Sequence, residues 1–307
     1  MAIPTRLLGR TGYEVTVLGY GAMELRGPTR GPAISDEEAG RLLNAVLDAG
    51  INLIDTSVDY GRSEELVGRF ISSRRDEFFL CSKCGCPLSV APDAPAPYPH
   101  DYTAENVRAD VEQSLRRLRT DRLDLVQVHM SPTVEEMRDG GTVEELEKLR
   151  DEGKVRFIGM SGTLPELPDH IDMDVFDVFQ IPYSLFQRRY EPWVTRAGDS
   201  GAGVLVRGGV GRGTASEDKN WTVEPLSGAD GVAADIWERA GLEELLDGMD
   251  RHEFVLRFTL RHPSLSTTIV GTSKVEHLQR NVEMAARGPL PEDVYAEAAR
   301  RLDEAGG

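Results

Sequence analysis

The chain has 307 residues and a formal net charge of −17, because 52 Asp and Glu outnumber 35 Lys and Arg. Nucleic acid and anionic membranes are bound through basic surface, so this balance argues against both as partners. We interpret the acidic surface as one that keeps the protein soluble. No apolar run has the length of a signal peptide or a membrane span, so we expect a cytoplasmic protein whose oligomeric state the sequence leaves unknown.

The first fifty residues predict a hairpin, a strand and a helix. Residues 6–15 read as a short hairpin with Gly9 and Gly12 in its turn. Residues 15–21 then form a first buried strand that ends in glycine. A capped amphipathic helix is predicted over residues 35–48.

Short apolar strands then alternate with helical patterns. Further strands are predicted over residues 53–54, 78–83, 123–129, 155–160, 177–181, 204–206 and 267–270. Helices are predicted over residues 64–72, 103–118, 143–151, 254–261 and 275–286, with another near 190–197. Eight strands, nearly all followed by a helix, indicate a parallel sheet. Eight such units favour a (β/α)8 TIM barrel over an open doubly wound sheet, in a single domain over residues 1–307.

Two segments interrupt this alternation. Residues 87–99 are rich in Pro and Ala and predict a surface loop. Residues 213–248 are polar and Gly-rich and contain Trp221 and Trp237. A loop of this length is typical of a lid or binding loop, and disorder of part of it is the alternative. The two tryptophans suit either an apolar pocket or packing.

Three cysteines, Cys81, Cys84 and Cys86, lie within six residues. A C-x-x-C-x-C cluster suggests metal or redox chemistry. A closed zinc site has four ligands, however, and no histidine has a finger-like spacing here. We interpret the cysteines as small, half-buried thiols at a strand end and predict no metal.

One stretch suggests where chemistry takes place. Residues 53–65 form an apolar strand that ends in Asp55, a loop with Tyr60, and a helix start with Ser63 as the predicted N-cap. The C-terminal ends of barrel strands converge on one face. The predicted strand ends on that face carry Gly21, Asp55, Lys83, His129, Ser161, Gln180, Arg207 and Gly271.

Four of these side chains suit proton transfer to a carbonyl oxygen. Tyrosine has a reference pKa of about 10, which is high for proton exchange near neutrality. A lysine ammonium nearby stabilises the phenolate, so Lys83 is expected to lower the pKa of Tyr60. Asp55 would keep Lys83 charged, and His129 would donate to the substrate oxygen. A core histidine is the alternative interpretation of His129.

The same residues resemble the aldo-keto reductase superfamily. The similarity runs through D-T-S-x-x-Y-G-x-S-E at 55–64, Ser82-Lys83, and the segments 123–129, 152–161, 270–273 and 277–281. It implies a (β/α)8 barrel and NAD(P)H-dependent reduction of a small aldehyde or ketone. It also implies a catalytic tetrad of Asp55, Tyr60, Lys83 and His129, with Tyr60 as the general acid.

The resemblance further implies three groups of cofactor contacts. The nicotinamide end is expected to contact Gly21, Ala22, Met23, Asp55, Ser161, Gly162 and Gln180. Glycines that let backbone N–H groups approach the pyrophosphate are expected in the loop of Arg207, Gly208, Val210, Gly211 and Arg212. The remaining contacts are expected from Gly271, Thr272, Ser273, His277, Arg280 and Asn281. No G-x-G-x-x-G opens a helix after a strand, so a Rossmann site is not supported.

Several positions depart from the family pattern. Gly162 stands where the family often has Asn, and this change removes one contact with the nicotinamide carboxamide. Arg207 replaces an aromatic ring, although a guanidinium plane can also stack on the nicotinamide. Gly271 and His277 replace the lysine and arginine that often bind the 2′-phosphate. The remaining donors are Thr272, Ser273, Lys274 and Arg280, so we predict NADP(H), with NAD(H) as the alternative.

Two rival functions fit the same chain. One is a nucleotide-binding regulatory subunit resembling potassium-channel β-subunits. The other is a lyase that forms a Schiff base on Lys83. Asp55 argues against the lyase, because it would keep the amine protonated.

Overall fold

The N-terminus forms a two-stranded hairpin in the computed structural model, which describes residues 2–27, 33–87, 99–211 and 235–306. Strand β1 (Thr5–Leu7) pairs antiparallel with β2 (Glu14–Thr16). Gly9 lies in the connecting turn with a φ of +49°, and a Cβ there would lie 2.1 Å from the backbone nitrogen of Gly203. Only glycine permits this approach of the hairpin to the barrel.

Eight parallel strands close into a barrel. They are β3 (Leu18–Gly21), β4 (Leu53–Asp55), β5 (Phe79–Cys84), β6 (Leu123–Val128), β7 (Val155–Ser161), β8 (Val178–Pro182), β9 (Gly203–Arg207) and β10 (Thr267–Val270). Neighbouring strands pair in chain order, and β10 pairs with β3 to close the ring. The predicted TIM barrel is therefore confirmed.

Helices surround the barrel and bury their apolar faces against it. They are α1 (Asp36–Asp48), α2 (Ser63–Ile71), α3 (Ala104–Leu118), α4 (Val134–Gly140), α5 (Thr142–Asp151), α6 (Leu167–Asp172), α7 (Glu191–Asp199), α8 (Ile236–Arg239), α9 (Arg251–Thr259), α10 (Val275–Ala286) and α11 (Glu292–Glu304). At the end where the strands begin, Leu8 and Val15 of the hairpin pack with inward-facing Leu53, Phe79 and Leu125. The hairpin thus fills that end of the barrel with apolar side chains.

The predicted strand over residues 15–21 is wrong in its extent. Its first residues belong to β2 of the hairpin, and the barrel strand begins only at Leu18. Thr16 is the last residue of β2, and there its hydroxyl donates to the carbonyl of Leu18 and its backbone N–H donates to Asn52. These local bonds redirect the chain, as side-chain to backbone hydrogen bonds often do.

Ser63 is not the N-cap of α2, as the sequence had suggested. It is the first helical residue, and its hydroxyl donates to the carbonyl of Ala22 at 2.8 Å and lies 2.8 Å from the hydroxyl of Thr56. Glu64, expected in an ordinary first turn, is buried and accepts a 2.7 Å hydrogen bond from Ser82. Both side chains therefore join α2 to the barrel.

The long interrupting segments are only partly described. Residues 88–98, and residues 212–234 with Arg212 and Trp221, lie outside the described residues. Trp237 on α8 is buried, packs edge-on against Phe254 and donates its Nε1–H to Glu243 at 2.9 Å. It is therefore a packing residue. Among the described residues no helix has the length and apolar character needed to cross a bilayer.

Candidate active site

A buried ion pair joins the C-terminal ends of β4 and β5. Lys83 Nζ donates to Asp55 Oδ2 at 2.8 Å and to the carbonyl of Thr56 at 2.7 Å. The Lys83 side chain has no exposed surface. Burial acts to lower the pKa of Lys83, but Asp55 and Tyr60 offset this and raise the pKa above that of an ordinary lysine. The ammonium is therefore charged at neutral pH.

The other oxygen of Asp55 accepts two amide hydrogen bonds. Gln127 Nε2 donates to Asp55 Oδ1 at 2.9 Å, and Gln180 Nε2 donates to the same atom at 3.0 Å. Ser161 Oγ in turn donates to Gln180 Oε1 at 3.1 Å. These bonds fix the carboxylate between strands that are distant in the chain. Sequence reasoning missed Gln127, although a polar residue inside the apolar run of β6 is a signal for it.

Tyr60 lies in the loop between β4 and α2, with Lys83 beneath its ring. The Nζ of Lys83 is 4.8 Å from the ring centroid. Burial raises the pKa of Tyr60 and outweighs the lowering by Lys83. The expectation that Lys83 brings this pKa below its ordinary value is therefore wrong, because it ignored desolvation. The phenol is protonated at neutral pH.

His129 follows β6 and faces Tyr60. The two rings meet edge-on, with centroids 6.4 Å apart. Burial lowers the pKa of His129 to about 3, so the imidazole is neutral. Its Nδ1 lies 3.2 Å from the sulfur of Cys86, whose pKa burial raises well above that of an ordinary thiol. Cys86 therefore keeps its proton at neutral pH. A protonated thiol can donate a hydrogen bond to Nδ1, and the tautomer that accepts it carries the ring hydrogen on Nε2.

Two more charged side chains, Asp59 and Arg207, interact electrostatically with Tyr60. Burial acts to raise the pKa of Asp59, but His129, a hydrogen bond from Ser57 and Lys83 together lower it. Arg207, at the end of β9, acts to lower the pKa of Tyr60. Among the described residues, the cations Lys83 and Arg207 and the carboxylates Asp55 and Asp59 thus act on the protonated phenol of Tyr60. Asp59 was not among the predicted site residues, although it directly precedes Tyr60.

The residues expected at the nicotinamide end lie at the same rim. Gly21 ends β3, and Ala22 and Met23 begin the short 3-10 helix that follows it. Ser161 and Gln180 belong to the hydrogen-bonded chain of Asp55. The backbone N–H of Gly162 donates to the carbonyl of Gln180 at 3.1 Å. A Cβ at Gly162 would lie 3.0 Å from Leu167, so the asparagine frequent in the family would be crowded here.

The loop after β9 forms a tight turn. Gly208 and Gly211 have φ values of +76° and +58°, and the N–H of Gly211 donates to the carbonyl of Gly208 at 2.8 Å. The side chain of Val210 is buried. Thr259 on α9 donates to the carbonyl of Gly209 at 2.8 Å and fixes the turn. Positive-φ turns of this kind direct backbone N–H groups toward an anion.

The expected phosphate-end residues lie between β10 and the first turns of α10. Thr272 is held by the hydroxyl of Tyr20, which donates to its carbonyl at 2.9 Å. Among the residues expected to contact the cofactor here, Gly271, His277 and Arg280 are exposed and Ser273 is half-buried; Lys274 is also exposed. Arg280 pairs with Asp250 at 2.6 Å, and buried Asn281 accepts a 2.9 Å hydrogen bond from His252. The structure thus engages these two side chains within the protein, which sequence reasoning did not foresee.

Cys86 is itself positioned by a buried carboxylate on α3. Asp110 Oδ2 accepts the backbone N–H groups of Gly85 at 2.8 Å and Cys86 at 3.0 Å. Burial raises the pKa of Asp110 to about 8, against the lowering by these two bonds, and the nearby carboxylate of Glu64 adds to the rise. Asp110 is therefore largely protonated at neutral pH.

This protonation makes the stability of the fold depend on pH. The folded pKa of Asp110 lies above the unfolded value of about 3.9, so its stabilising contribution is complete below that value and is lost as the pH rises through the folded pKa. We expect the free energy of unfolding to fall between about pH 4 and about pH 8, and Asp110→Asn to flatten that dependence. Urea unfolding at several pH values measures it. Asp139→Asn, an exposed carboxylate on α4, is the control, and an unchanged slope in Asp110→Asn would contradict the assignment.

Comparison with known proteins places this chain in a family. The profile of the Aldo/keto reductase family matches residues 17–302. The uncharacterized oxidoreductase YqkF of Bacillus subtilis is 29% identical over 296 residues, which cover 94% of this chain and 93% of YqkF. D-threo-aldose 1-dehydrogenase of a Pseudomonas species is 28% identical, and the match covers 94% of both proteins. The holo form of aldo-keto reductase AKR11C1 from Bacillus halodurans superposes with a TM-score of 0.83 at 28% identity, over 97% of this chain and 96% of that one. The chain therefore belongs to the aldo/keto reductase family of oxidoreductases.

Proposed function

We propose that this protein reduces an aldehyde or ketone to an alcohol with NADP(H), and that Tyr60 is the general acid. One observation carries the proposal. A protonated tyrosine lies against a charged lysine, whose Nζ is 4.8 Å from the ring centroid, beside a neutral histidine. A general acid must hold its proton until the substrate oxygen needs it, and the conjugate base must then be stabilised.

The residues of the rim suit a nicotinamide dinucleotide. Members of the family generally use NAD(P)H, and the reduced nicotinamide supplies the hydride for the carbonyl carbon when it is bound. Ser161 and Gln180 would hold its carboxamide. The positive-φ turn from Arg207 to Gly211 would bind the pyrophosphate. In a chain of net charge −17, the cations Arg207 and Lys274 at one rim favour an anionic ligand there.

The side chains divide the proton chemistry between them. Tyr60 would give its phenolic proton to the developing alkoxide. Lys83 would stabilise the phenolate that remains, because a unit charge about 4 Å away is worth about 4 kcal/mol at an effective dielectric near 20. Asp55 keeps Lys83 charged and in place. With the Cys86 thiol donating to Nδ1, the Nε2–H of His129 would orient the carbonyl oxygen.

The lyase is disfavoured by the environment of Lys83. A Schiff base requires a neutral amine that a substrate can reach. Lys83 is charged, has no exposed side-chain surface and donates to both Asp55 and Thr56. The regulatory role is distinguished by turnover, because a regulatory subunit would hold its nucleotide without rapid consumption by simple carbonyls.

A panel of aldehydes and ketones, followed by NADPH and NADH absorbance, tests the proposal. We expect oxidation of the nucleotide by at least one carbonyl class, with a higher kcat/KM for NADPH than for NADH. Lys274→Met is expected to raise the KM for NADPH about fivefold, since an exposed ion pair is worth up to about 1 kcal/mol, and to leave that for NADH unchanged.

Lys148→Met is the matched control, because Lys148 is an exposed lysine on α5 that pairs with Glu145. No turnover with any carbonyl would contradict the proposal. Equal effects of Lys274→Met on NADPH and NADH would contradict the assignment of Lys274 to the 2′-phosphate and leave carbonyl reduction intact.

A further inference from the structure

A cysteine and two histidines meet beside Tyr60. Cys86, His100 and His129 each offer one ligand atom, and these atoms all lie within 4.8 Å of one another. The sulfur of Cys86 is 3.2 Å from His129 Nδ1. The rings of His100 and His129 face each other edge-on, with centroids 5.5 Å apart. The three residues come from three separate parts of the chain. We call them the Cys–His–His cluster.

The spacing of the cluster is close to that of a zinc site. Zinc takes thiolate sulfur at about 2.3 Å and imidazole nitrogen at about 2.0–2.1 Å in tetrahedral geometry, which puts ligand atoms about 3.3–3.6 Å apart. The pair formed by Cys86 and His129 is already near this separation. The separations to the His100 nitrogen are at most 4.8 Å, so a displacement of that nitrogen by up to about 1.5 Å brings it into the same range. Cysteine and histidine are also the ligands that borderline-soft cations prefer.

The surroundings hold two of the three ligands in place. The backbone N–H of Cys86 donates to Asp110, and the carbonyl of Cys86 accepts from Asn106 Nδ2 at 3.2 Å. The hydroxyl of Tyr102 donates to the carbonyl of His129 at 2.7 Å. Outer contacts of this kind orient the ligands of metal sites. Two ligands are thus fixed before any metal binds.

The local charges also matter for a cation. The carboxylate of Asp59 interacts electrostatically with both His100 and His129. With a Cys86 thiolate, two negative charges would face a divalent cation. Lys83 and Arg207 oppose it, because both act on His129 as well. The two negative and two positive charges offset each other, so the affinity for a divalent cation is determined by the metal–ligand bonds themselves.

We propose that the Cys–His–His cluster binds a divalent cation of the zinc class at the mouth of the barrel. The S–H bond of Cys86 breaks, its proton passes to solvent, and a sulfur–metal bond forms. The two neutral imidazoles each contribute a lone pair, and no electron is transferred. Three protein ligands leave a fourth position for water or another ligand. Cys81 and Cys84 take no part, so the C-x-x-C-x-C spacing is not what builds this site.

Titration of the full-length, metal-free protein with Cd²⁺ tests the proposal. A thiolate bound to Cd²⁺ absorbs in the near ultraviolet by charge transfer, and we expect this band to grow to saturation at one equivalent. Zn²⁺ is expected to remove the band by displacing Cd²⁺. The readout needs no turnover, so it succeeds or fails independently of the proposed function.

Variants identify the ligands. Cys86→Ser and Cys86→Ala are each expected to lose the band, and His100→Ala to weaken Cd²⁺ binding by at least about tenfold. Cys84→Ser is the matched control, because Cys84 is equally buried and lies outside the cluster. Circular dichroism checks the fold of each variant. No band in the wild-type protein, an undiminished band in either Cys86 variant, or no displacement by Zn²⁺ would overturn the proposal.

Discussion

Tyr60→Phe is expected to lower kcat for carbonyl reduction about 10²- to 10⁴-fold, the range that a positioned general acid contributes. Phenylalanine keeps the ring over Lys83 and removes only the hydroxyl that carries the proton. Nucleotide binding is expected to survive, since the residues assigned to the dinucleotide are untouched. Steady-state kinetics with several carbonyls measures kcat, and a fluorescence titration measures the Kd of the nucleotide.

Tyr13→Phe is the matched control for this variant. Tyr13 packs on Phe79 at the hairpin end of the barrel, far from the rim that carries Tyr60. Its phenylalanine variant is expected to turn over normally. Near-normal activity of Tyr60→Phe with several substrates would show that another group supplies the proton. Loss of nucleotide binding together with activity would show instead that Tyr60 is needed to build the cofactor site.

Asp55→Asn and Lys83→Met are each expected to lower the free energy of unfolding by about 3–5 kcal/mol. Each change leaves one buried charge without its partner. In the native protein, Lys83 Nζ and Asp55 Oδ2 lie 2.8 Å apart. The double variant Asp55→Asn/Lys83→Met removes both charges and is expected to regain most of that stability. All three variants are expected to have low kcat, because none retains a correctly held cation beside Tyr60.

Urea unfolding and steady-state kinetics on the wild-type protein and these three variants separate effects on stability from effects on catalysis. Arg41→Met is the control for an exposed pair, since Arg41 and Glu37 are joined on the surface of α1, and its cost is expected to stay below about 1 kcal/mol. If the double variant lost as much free energy of unfolding as the two single variants together, coupling through the ion pair would be contradicted. A double variant with near-normal kcat would contradict the role of Lys83 beside Tyr60.

The barrel could be predicted because its signals are local. Apolar runs of strand length alternate with helical patterns, and each run is bounded by turn residues. Polar residues that directly end such runs, such as Asp55 and Lys83, are visible in the sequence for the same reason. The parallel pairing then places them at one rim, where Tyr60 and His129 also lie.

The helices that sequence reasoning missed were short or had weak patterns. Helix α4 has seven residues, although Thr133 and Glu136 form a capping box that announces its start. Helices α6 and α8 have six and four residues, and each is too short for an apolar period to be recognised. Helix α11 was missed despite its 13 residues, because only Ala298 and Leu302 of it are fully buried.

The remaining errors concern contacts between distant residues. Gln127 meets Asp55 across 72 positions, and Cys86 meets His129 across 43. Nothing local in the sequence predicts either contact. The pKa of Tyr60 depends on how deeply its ring is buried, which only the folded chain determines. In the same way, Arg280 has the charge expected for a phosphate ligand, but the fold brings Asp250 to it.

The apolar hairpin end of the barrel has a consequence for how this protein can evolve. Leu8 and its neighbours there are buried among the first residues of the strands, while the side chains proposed for catalysis lie where the strands end. The two ends of the barrel therefore have separate roles. Residues at the hairpin end stabilise the fold, and we expect residues at the opposite end to determine substrate selectivity. Loops at the rim that carries Tyr60 can therefore change in sequence toward new substrates, because they lie at the opposite end of the barrel from the residues that stabilise it beside the hairpin.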